Sequence, residues 1–295
     1  MSTTRRPWVG FVAVVGVTVV AATGCRPSAG ASRSREADLA PPAPSGAEML
    51  LTFEDSPGSG AVLPGPRDLG TAPSQTRVRT SGGGRVVADQ GPDGLVGRFP
   101  AVGGPNRPLA VVVVVPTEPD RLSPGEDDFS FGADVVLDEV SEGPGDNGDN
   151  VLQRGLFADA VQYKLQLDHG RPSCRLAGAG GTAVAKADAP VTRGRWYRLR
   201  CRRHGDELVL EVRAWRGDSW GDSWADSTRT VSRRPVGAMS FDRTDGTVVP
   251  LSVGGKVGAD GRIPDGSSDL LNGAVDNVFV DVLPDGTALE GGSTR

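Results

Sequence analysis

The stretch Trp196-Tyr197-Arg198-Leu199-Arg200-Cys201-Arg202, followed by His204-Gly205-Asp206 and then Leu208-Val209-Leu210-Glu211-Val212, decides the fold class. Alternation of apolar and polar residues at period two puts one set of side chains on each face of a strand. The glycine-centred triplet between the two runs marks a tight reversal. Together they read as an antiparallel hairpin with one buried and one solvated face, so the arginines of Arg193 to Arg203 belong to a strand face and not to a binding tail.

The same short period recurs outward along the chain. Met49-Leu50-Leu51-Thr52-Phe53, the β-branched run Leu109 to Val115, Phe129-Ser130-Phe131 leading to Val135-Val136-Leu137, Val161 to Leu167 and Val275 to Val282 each fit a strand. Turn-forming punctuation such as Gly143 to Gly148 and Asp260-Gly261 falls between them. With 42 glycines and 23 prolines against three methionines and two tyrosines, the chain favours turns over helices. No window sustains a helical period beyond a turn or two. The expectation is an all-β fold, a two-sheet antiparallel β-sandwich of jelly-roll type, in one domain over residues 47–284. A formal net charge of −5 with scattered Lys and Arg carries no nucleic-acid signal.

Residues 1–25 read as an export signal: Arg5 and Arg6, an uncharged and mostly apolar run from Val9 to Ala22, then Ala22-Thr23-Gly24-Cys25. That ending resembles the bacterial lipobox. The resemblance implies a diacylglycerol on the Cys25 thiol, cleavage before it, and a protein lipid-anchored on the outer face of the cytoplasmic membrane. An ordinary cleaved signal peptide and a retained membrane helix are the alternatives, the latter opposed by Pro7 and several glycines and threonines. Arg5-Arg6 leaves the general and twin-arginine export routes both open. Residues 26–46, rich in Pro, Ala and Ser, hold too few apolar groups to offset ordering entropy and are expected to form a flexible tether. The polar Gly-rich stretch 285–295 is expected to fray.

Three cysteines suit an exported protein once Cys25 carries lipid, because Cys174 and Cys201 remain as an even pair in an oxidising compartment. A disulfide between them is the economical reading; two free buried thiols are the other. Zinc is disfavoured, since His169 and His204 are the only histidines and no Cys-x-x-Cys spacing occurs.

The order of segments resembles the concanavalin A-like lectin/glucanase superfamily, in particular its laminin-G-like domains. The likeness rests on Leu50-Leu51-Thr52-Phe53-Glu54, Gly94 to Phe99, Phe129 to Val135, Thr192 to Leu199 with Asp206 to Val212, and Pro250 to Gly255 followed by Leu271 to Val278. It implies a structural calcium between an acidic group near the first strand and an aspartate in the last, which matches Glu54 or Asp55 and Asp276 by position. Hard oxygen ligands from distant segments would join the chain ends. Strict alternation puts Ala274, Asp276 and Val278 on one face and Val275 and Phe279 on the other. The competing reading of Asp276 is a carboxylate satisfied by backbone hydrogen bonds or an arginine.

The glucanase branch carries a strand-borne Glu-x-Asp-x-x-Glu suited to retaining hydrolysis, and no such run exists here. Asp206 to Glu211 and Asp138 to Glu142 have the wrong spacing. Neither histidine accompanies a Gly-x-Ser-x-Gly elbow, and Gly82-Gly83-Gly84 lacks a phosphate-loop lysine. Arg216 to Trp224 duplicates Gly-Asp-Ser-Trp, setting Trp220, Asp222 and Trp224 in one loop. Aromatics beside carboxylates suit stacking on sugar rings, whereas the alternative makes the tryptophans lids on a sandwich edge. Asp146-Asn147-Gly148-Asp149-Asn150 reads as a solvated turn in preference to the rim of a ligand-binding face.

The function expected from these features is a non-catalytic, lipid-anchored extracytoplasmic module that binds carbohydrate or another cell-surface polymer. A structural or protein-interaction lipoprotein without sugar affinity is the alternative, and a glycan-active enzyme a distant third. A sandwich whose concave face is lined by Trp, Asn and Asp favours the first, a flat apolar patch the second.

Overall fold

A computed structural model of the chain describes residues 46–72, 74–101, 107–118, 121–141, 148–217, 227–264, 266 and 269–282. The export signal with Cys25, the tether and the tail 285–295 lie outside them, as does the loop with Trp220, Asp222 and Trp224. The described residues form β1 (Met49–Thr52), β2 (Arg67–Asp68), β3 (Gln75–Ser81), β4 (Val87–Gln90), β5 (Leu95–Arg98), β6 (Leu109–Val115), β7 (Phe129–Leu137) and β8 (Asp149–Arg154). They continue with β9 (Gln162–Asp168), β10 (Arg171–Gly178), β11 (Gly181–Lys186), β12 (Trp196–His204), β13 (Glu207–Ala214), β14 (Ser227–Arg233), β15 (Leu251–Val253) and β16 (Gly273–Val282).

These strands make two antiparallel sheets. One runs β14-β13-β12-β7-β16-β1-β2 with β5 and β4 added beside β16; the other runs β11-β10-β9-β8-β15-β6-β3. Their inner faces meet in one core, to which Met49, Leu51, Phe131, Leu199 and Val280 contribute from the first sheet and Val112, Leu152, Leu165, Leu176 and Leu251 from the second. The hairpin read from sequence is β12–β13, reversed at His204↔Glu207. Phe129 to Leu137 is one uninterrupted strand, buried along its length because it pairs with β12 on one side and β16 on the other.

Cys174 on β10 and Cys201 on β12 form a disulfide with a Cα–Cα distance of 5.9 Å. Both cysteines are fully buried on the inner faces, so the bond staples one sheet to the other through the core.

Two expectations are corrected. The last strand does not alternate strictly: its register against β7 shifts between Asp276 and Phe279, and Asn277 there has a φ of 50°. This bulge returns Val278 to the core with Val275, while Phe279 packs on the opposite face against Ala47. Asp149 and Asn150 are not a solvated turn but the buried start of β8. The Asp149 Oδ1 accepts hydrogen bonds from the Asn272 backbone N–H (3.2 Å) and side-chain amide (2.9 Å), which holds in the interior a carboxylate that composition alone assigns to solvent. Asp146 and Asn147 lie outside the described residues.

Candidate functional site

Strands β8 to β11 have strong alternation and direct register, and this fixes what their outer face presents. One cross-strand row reads Gln153, Lys164, Arg175 and Val184; its neighbours are Asn150, Gln166, Ser173 and Lys186 on one side and Gln162, Ala177 and Thr182 on the other. Their sequence neighbours Leu152, Leu165, Cys174 and Ala185 point into the core. The β9–β10 hairpin sets this register: His169 and Gly170, both at positive φ (51° and 72°), give the two-residue reversal whose twist suits a tight hairpin.

Hydrogen bonds lock the amides in place. Gln153 and Gln162 each donate an Nε2–H to the Gly155 carbonyl, at 2.7 and 3.1 Å, and the Gln153 Oε1 accepts from Asn150 Nδ2 at 3.0 Å. Arg175 donates from Nη1 to Gln162 Oε1. The guanidinium carbon of Arg175 lies 4.6 Å from the ring centroid of Phe157, a cation–π contact. Phe157 is 78 % exposed, and on the other side of Arg175 Val184 is 47 % exposed. A large aromatic is thus held open to solvent against an arginine.

Charge on this face is uneven. Lys186 pairs with Asp168, and Lys256 with Asp269 at 3.0 Å. Lys164 makes no hydrogen bond or ion pair, and Arg175 no ion pair, among the described residues. Burial pushes the Lys164 ammonium down to about 8 and lowers Arg175 from its usual range. The covering segment Gly254 to Asn272 closes the other half of the sheet face, where Val257, Leu270 and Ile263 pack on Val111 and Val113. Between that segment and the Phe157 loop, strands β8 to β11 present Lys164, Gln166 and Arg175, each partly exposed, with Asn150, Gln153 and Gln162 buried beside them.

The residues expected to hold a metal are on the opposite sheet. Asp276 is buried, its Oδ2 accepts from Asn277 Nδ2 at 2.9 Å, and its Oδ1 is buried with no hydrogen-bond partner. Burial pushes its carboxyl up to about 7, reinforced by the negative charges of Asp134, Glu54 and Asp93. Glu54 accepts from the Leu95 N–H at 3.0 Å and lies against Gly94, where a Cβ would come within 2.0 Å of its Oε1. Asp55 instead turns outward to Arg67, 3.1 Å away. Asp134 is held by a bidentate pair of bonds from Arg198 at 2.8 and 2.9 Å. A buried carboxylate oxygen lacking a donor, in the field of further carboxylates, fits a hard cation. No three His, Cys, Asp or Glu side chains converge as a ready cage among the described residues. Carbonyls and water would therefore complete the six to eight oxygens that calcium takes.

Both histidines face solvent beside carboxylates, His169 with Asp168 and His204 with Asp128. Glu207 and Glu211 share the outer face of β13, where Glu207 pairs with Arg229 and Arg233 and Glu211 with Arg202. These are structural ion pairs. The polar face of β8 to β11 was missed by motif reading, although Gln162, Lys164 and Gln166 stand out as the polar half of the Val161–Leu167 alternation.

No protein-family model matches the sequence, and no curated protein does. Among solved structures the chain is similar to the crystal structure of HCR/D-Sa-GBL1/C, with TM-score 0.49 and 10 % identity over 80 % of this chain and 48 % of that one. It is also similar to the binding domain of Paraclostridial Mosquitocidal Protein 1, with TM-score 0.49 and 12 % identity over 81 % and 49 % of the two chains. The LG1-3 region of the laminin alpha2 chain is another, with TM-score 0.40 and 17 % identity over 57 % of this chain and 30 % of that one. The chain thus spans half or less of the length of each. At these scores the sandwich assignment rests on the two sheets themselves.

Proposed function

We propose that this protein is a non-catalytic extracytoplasmic binding module that takes a hydroxyl-rich surface polymer, carbohydrate first among them, on the outer face of β8 to β11. The observation that carries this reading is the group of Lys164, Gln166 and Arg175, each partly open to solvent beside the exposed Phe157 ring and backed by the buried amides of Gln153 and Gln162. An apolar platform flanked by fixed donors and acceptors matches the ring faces and hydroxyl edges of sugars. The disulfide through the core suits an oxidising compartment. Two of the solved structures similar to this one are of toxin binding domains or laminin regions, which is consistent with a module whose work is attachment.

Affinity electrophoresis of the soluble domain through gels containing individual polysaccharides tests the reading. At least one polymer should retard the wild type, and Phe157→Ala or Gln166→Ala should remove at least three-quarters of that retardation with the melting curve unchanged. Retardation that survives both variants moves the binding surface elsewhere.

We also propose that Cys25 carries the lipid that holds the module at the membrane. Cys25→Ser should release the protein from the membrane fraction, and a lipid-labelled Cys25→Ser protein would contradict it.

Calcium at Asp276 and Glu54 is the third part of the proposal. The orphaned Asp276 Oδ1 and the carboxyl raised to about 7 both support a cation there. Without metal, a carboxyl raised from 3.8 to about 7 gives stability that is complete below pH ~4 and is lost as pH rises through 7. Asp281, raised to about 6 by burial and the nearby Glu48, acts in the same direction. The metal-free domain should therefore melt at a higher temperature at pH 5 than at pH 8, and calcium at ~100 times its Kd should add about 2.7 kcal/mol at pH 8. Asp276→Asn should abolish the calcium response and flatten most of the pH dependence. Identical melting curves in chelator and in millimolar calcium would remove the metal and leave a protonated Asp276.

A further inference from the structure

We infer that the polymer bound on β8 to β11 is acidic, with carboxylate or sulfate groups seated between Lys164 and Arg175. The inference rests on the binding face proposed above and adds the chemical class of its ligand.

Lys164 and Arg175 are direct cross-strand partners, so their cationic heads emerge side by side from adjacent strands. Like charges in that position repel, and most sheet pairs avoid the arrangement or neutralise it. Nearby cations on the same face are neutralised: Lys186 by Asp168 and Lys256 by Asp269. Neither member of the central pair forms an ion pair among the described residues, and Asp269, which pairs with Lys256, reaches Lys164 through its field. Gln162 fixes one edge of the Arg175 guanidinium, and the Phe157 ring covers one side of its plane. A guanidinium oriented in this way presents its remaining N–H groups to a planar or tetrahedral oxyanion, while the ammonium of Lys164 adds a point charge. The protein as a whole carries a net charge of −5, so a cationic pair at the centre of a sheet face runs against its overall character.

Aromatic surface at Phe157 and the partly exposed amide of Gln166 beside this pair fit a sugar acid better than an acidic peptide, whose backbone would seek a free sheet edge. The groups facing Lys164 are Arg175 from β10, Gln153 from β8, Asp269 and Lys256 from the covering segment, and Asp168 further along β9. Burial and the two neighbouring cations outweigh Asp269 and Asp168. The ammonium therefore loses its proton near pH 8, and anion binding should weaken as pH rises past that point.

The test measures binding of the soluble domain to sodium polygalacturonate, dextran sulfate, neutral dextran and poly-L-glutamate in 50 mM salt at pH 7. At least one of the two acidic polysaccharides should bind ten or more times tighter than dextran, which tells carboxylate from sulfate. Raising salt to 0.5 M should shrink that preference to less than threefold. Lys164→Gln should lower acidic-polymer affinity about tenfold and lower any dextran binding by a much smaller factor, less than threefold. Wild-type affinity should fall between pH 7 and pH 9, and Lys164→Arg, which keeps its charge, should hold it level. Dextran binding as tightly as the acidic polymers would overturn the acidic ligand while leaving the polymer-binding face intact. Poly-L-glutamate binding more tightly than both acidic polysaccharides would overturn the glycan in favour of an acidic peptide. No binding of any polymer, with Lys164→Gln indistinguishable from wild type, would overturn both the inference and the face on which it rests.

Discussion

Removing the Cys174–Cys201 bond, by reduction or by the paired substitution Cys174→Ala and Cys201→Ala, should destabilise the domain by about 3.5 kcal/mol. The magnitude follows from the 27-residue separation of the two cysteines, which sets the loop entropy that the bond withholds from the unfolded chain. Its position adds to the effect. Both sulfurs are buried between the sheets, and the bond joins β10 to β12, strands of different sheets. For a domain of this size the loss corresponds to a drop in Tm on the order of 10 °C. Urea unfolding of oxidised and reduced protein under otherwise identical buffers checks it. A loss below about 1 kcal/mol would show that the unfolded chain is already compact across this loop.

The second large effect should come from Arg154→Ala. Arg154 is fully buried on the inner face of β8, a position that pattern reading gives to an aliphatic residue. Its guanidinium donates from Nε to the Val249 carbonyl at 3.1 Å, and from Nη1 to the Arg121 carbonyl at 2.7 Å and the Ser123 hydroxyl at 3.3 Å. It also lies 4.3 Å from the ring centroid of Phe241. One side chain thus pins two connecting segments, β6–β7 and β14–β15, to the end of a central strand. Alanine would leave these acceptors without their donor and open a cavity the size of a guanidinium, so the expected cost is about 3–5 kcal/mol. Arg154→Lys should recover less than half, because an ammonium cannot serve acceptors in several directions while covering an aromatic face. Chemical denaturation of the two variants is the check; Arg154→Ala within 1 kcal/mol of wild type would mean that water replaces the guanidinium.

The strands that sequence reveals most clearly are those whose alternation reflects burial on one face only. β9 and β12 are of this kind; β6 is legible for another reason, a continuous apolar run that is covered on both faces. β10, β11 and β14 are less legible, because segments such as Gly181-Thr182-Ala183-Val184-Ala185-Lys186 have weak strand preference and owe their conformation to pairing with neighbours. The bulge at Asn277 escaped for a different reason. A single left-handed asparagine reverses the facing of every later residue in the strand, and nothing in the apolar pattern distinguishes Val278 inward from Phe279 inward.

The disulfide was countable from three cysteines and needed only the fold to bring the pair together. The closeness of Glu54 to Asp276 likewise followed from strand order, while the turn of Asp55 toward Arg67 did not. The polar face of β8 to β11 was half visible. Gln162, Lys164 and Gln166 announce a wet face, but the adjacency of Arg175 depends on hairpin register and that of Phe157 on the path of a loop.

Hydrogen exchange of the soluble domain with and without saturating polymer tests the binding face most directly. Protection should rise in peptides spanning residues 149–168 and 171–186, which hold β8 to β11 and the Phe157 loop, and stay unchanged in the outer strands of the other sheet. Protection confined to peptides from residues 215–226, or to β12 to β14, with residues 149–186 unaffected, would contradict the assignment.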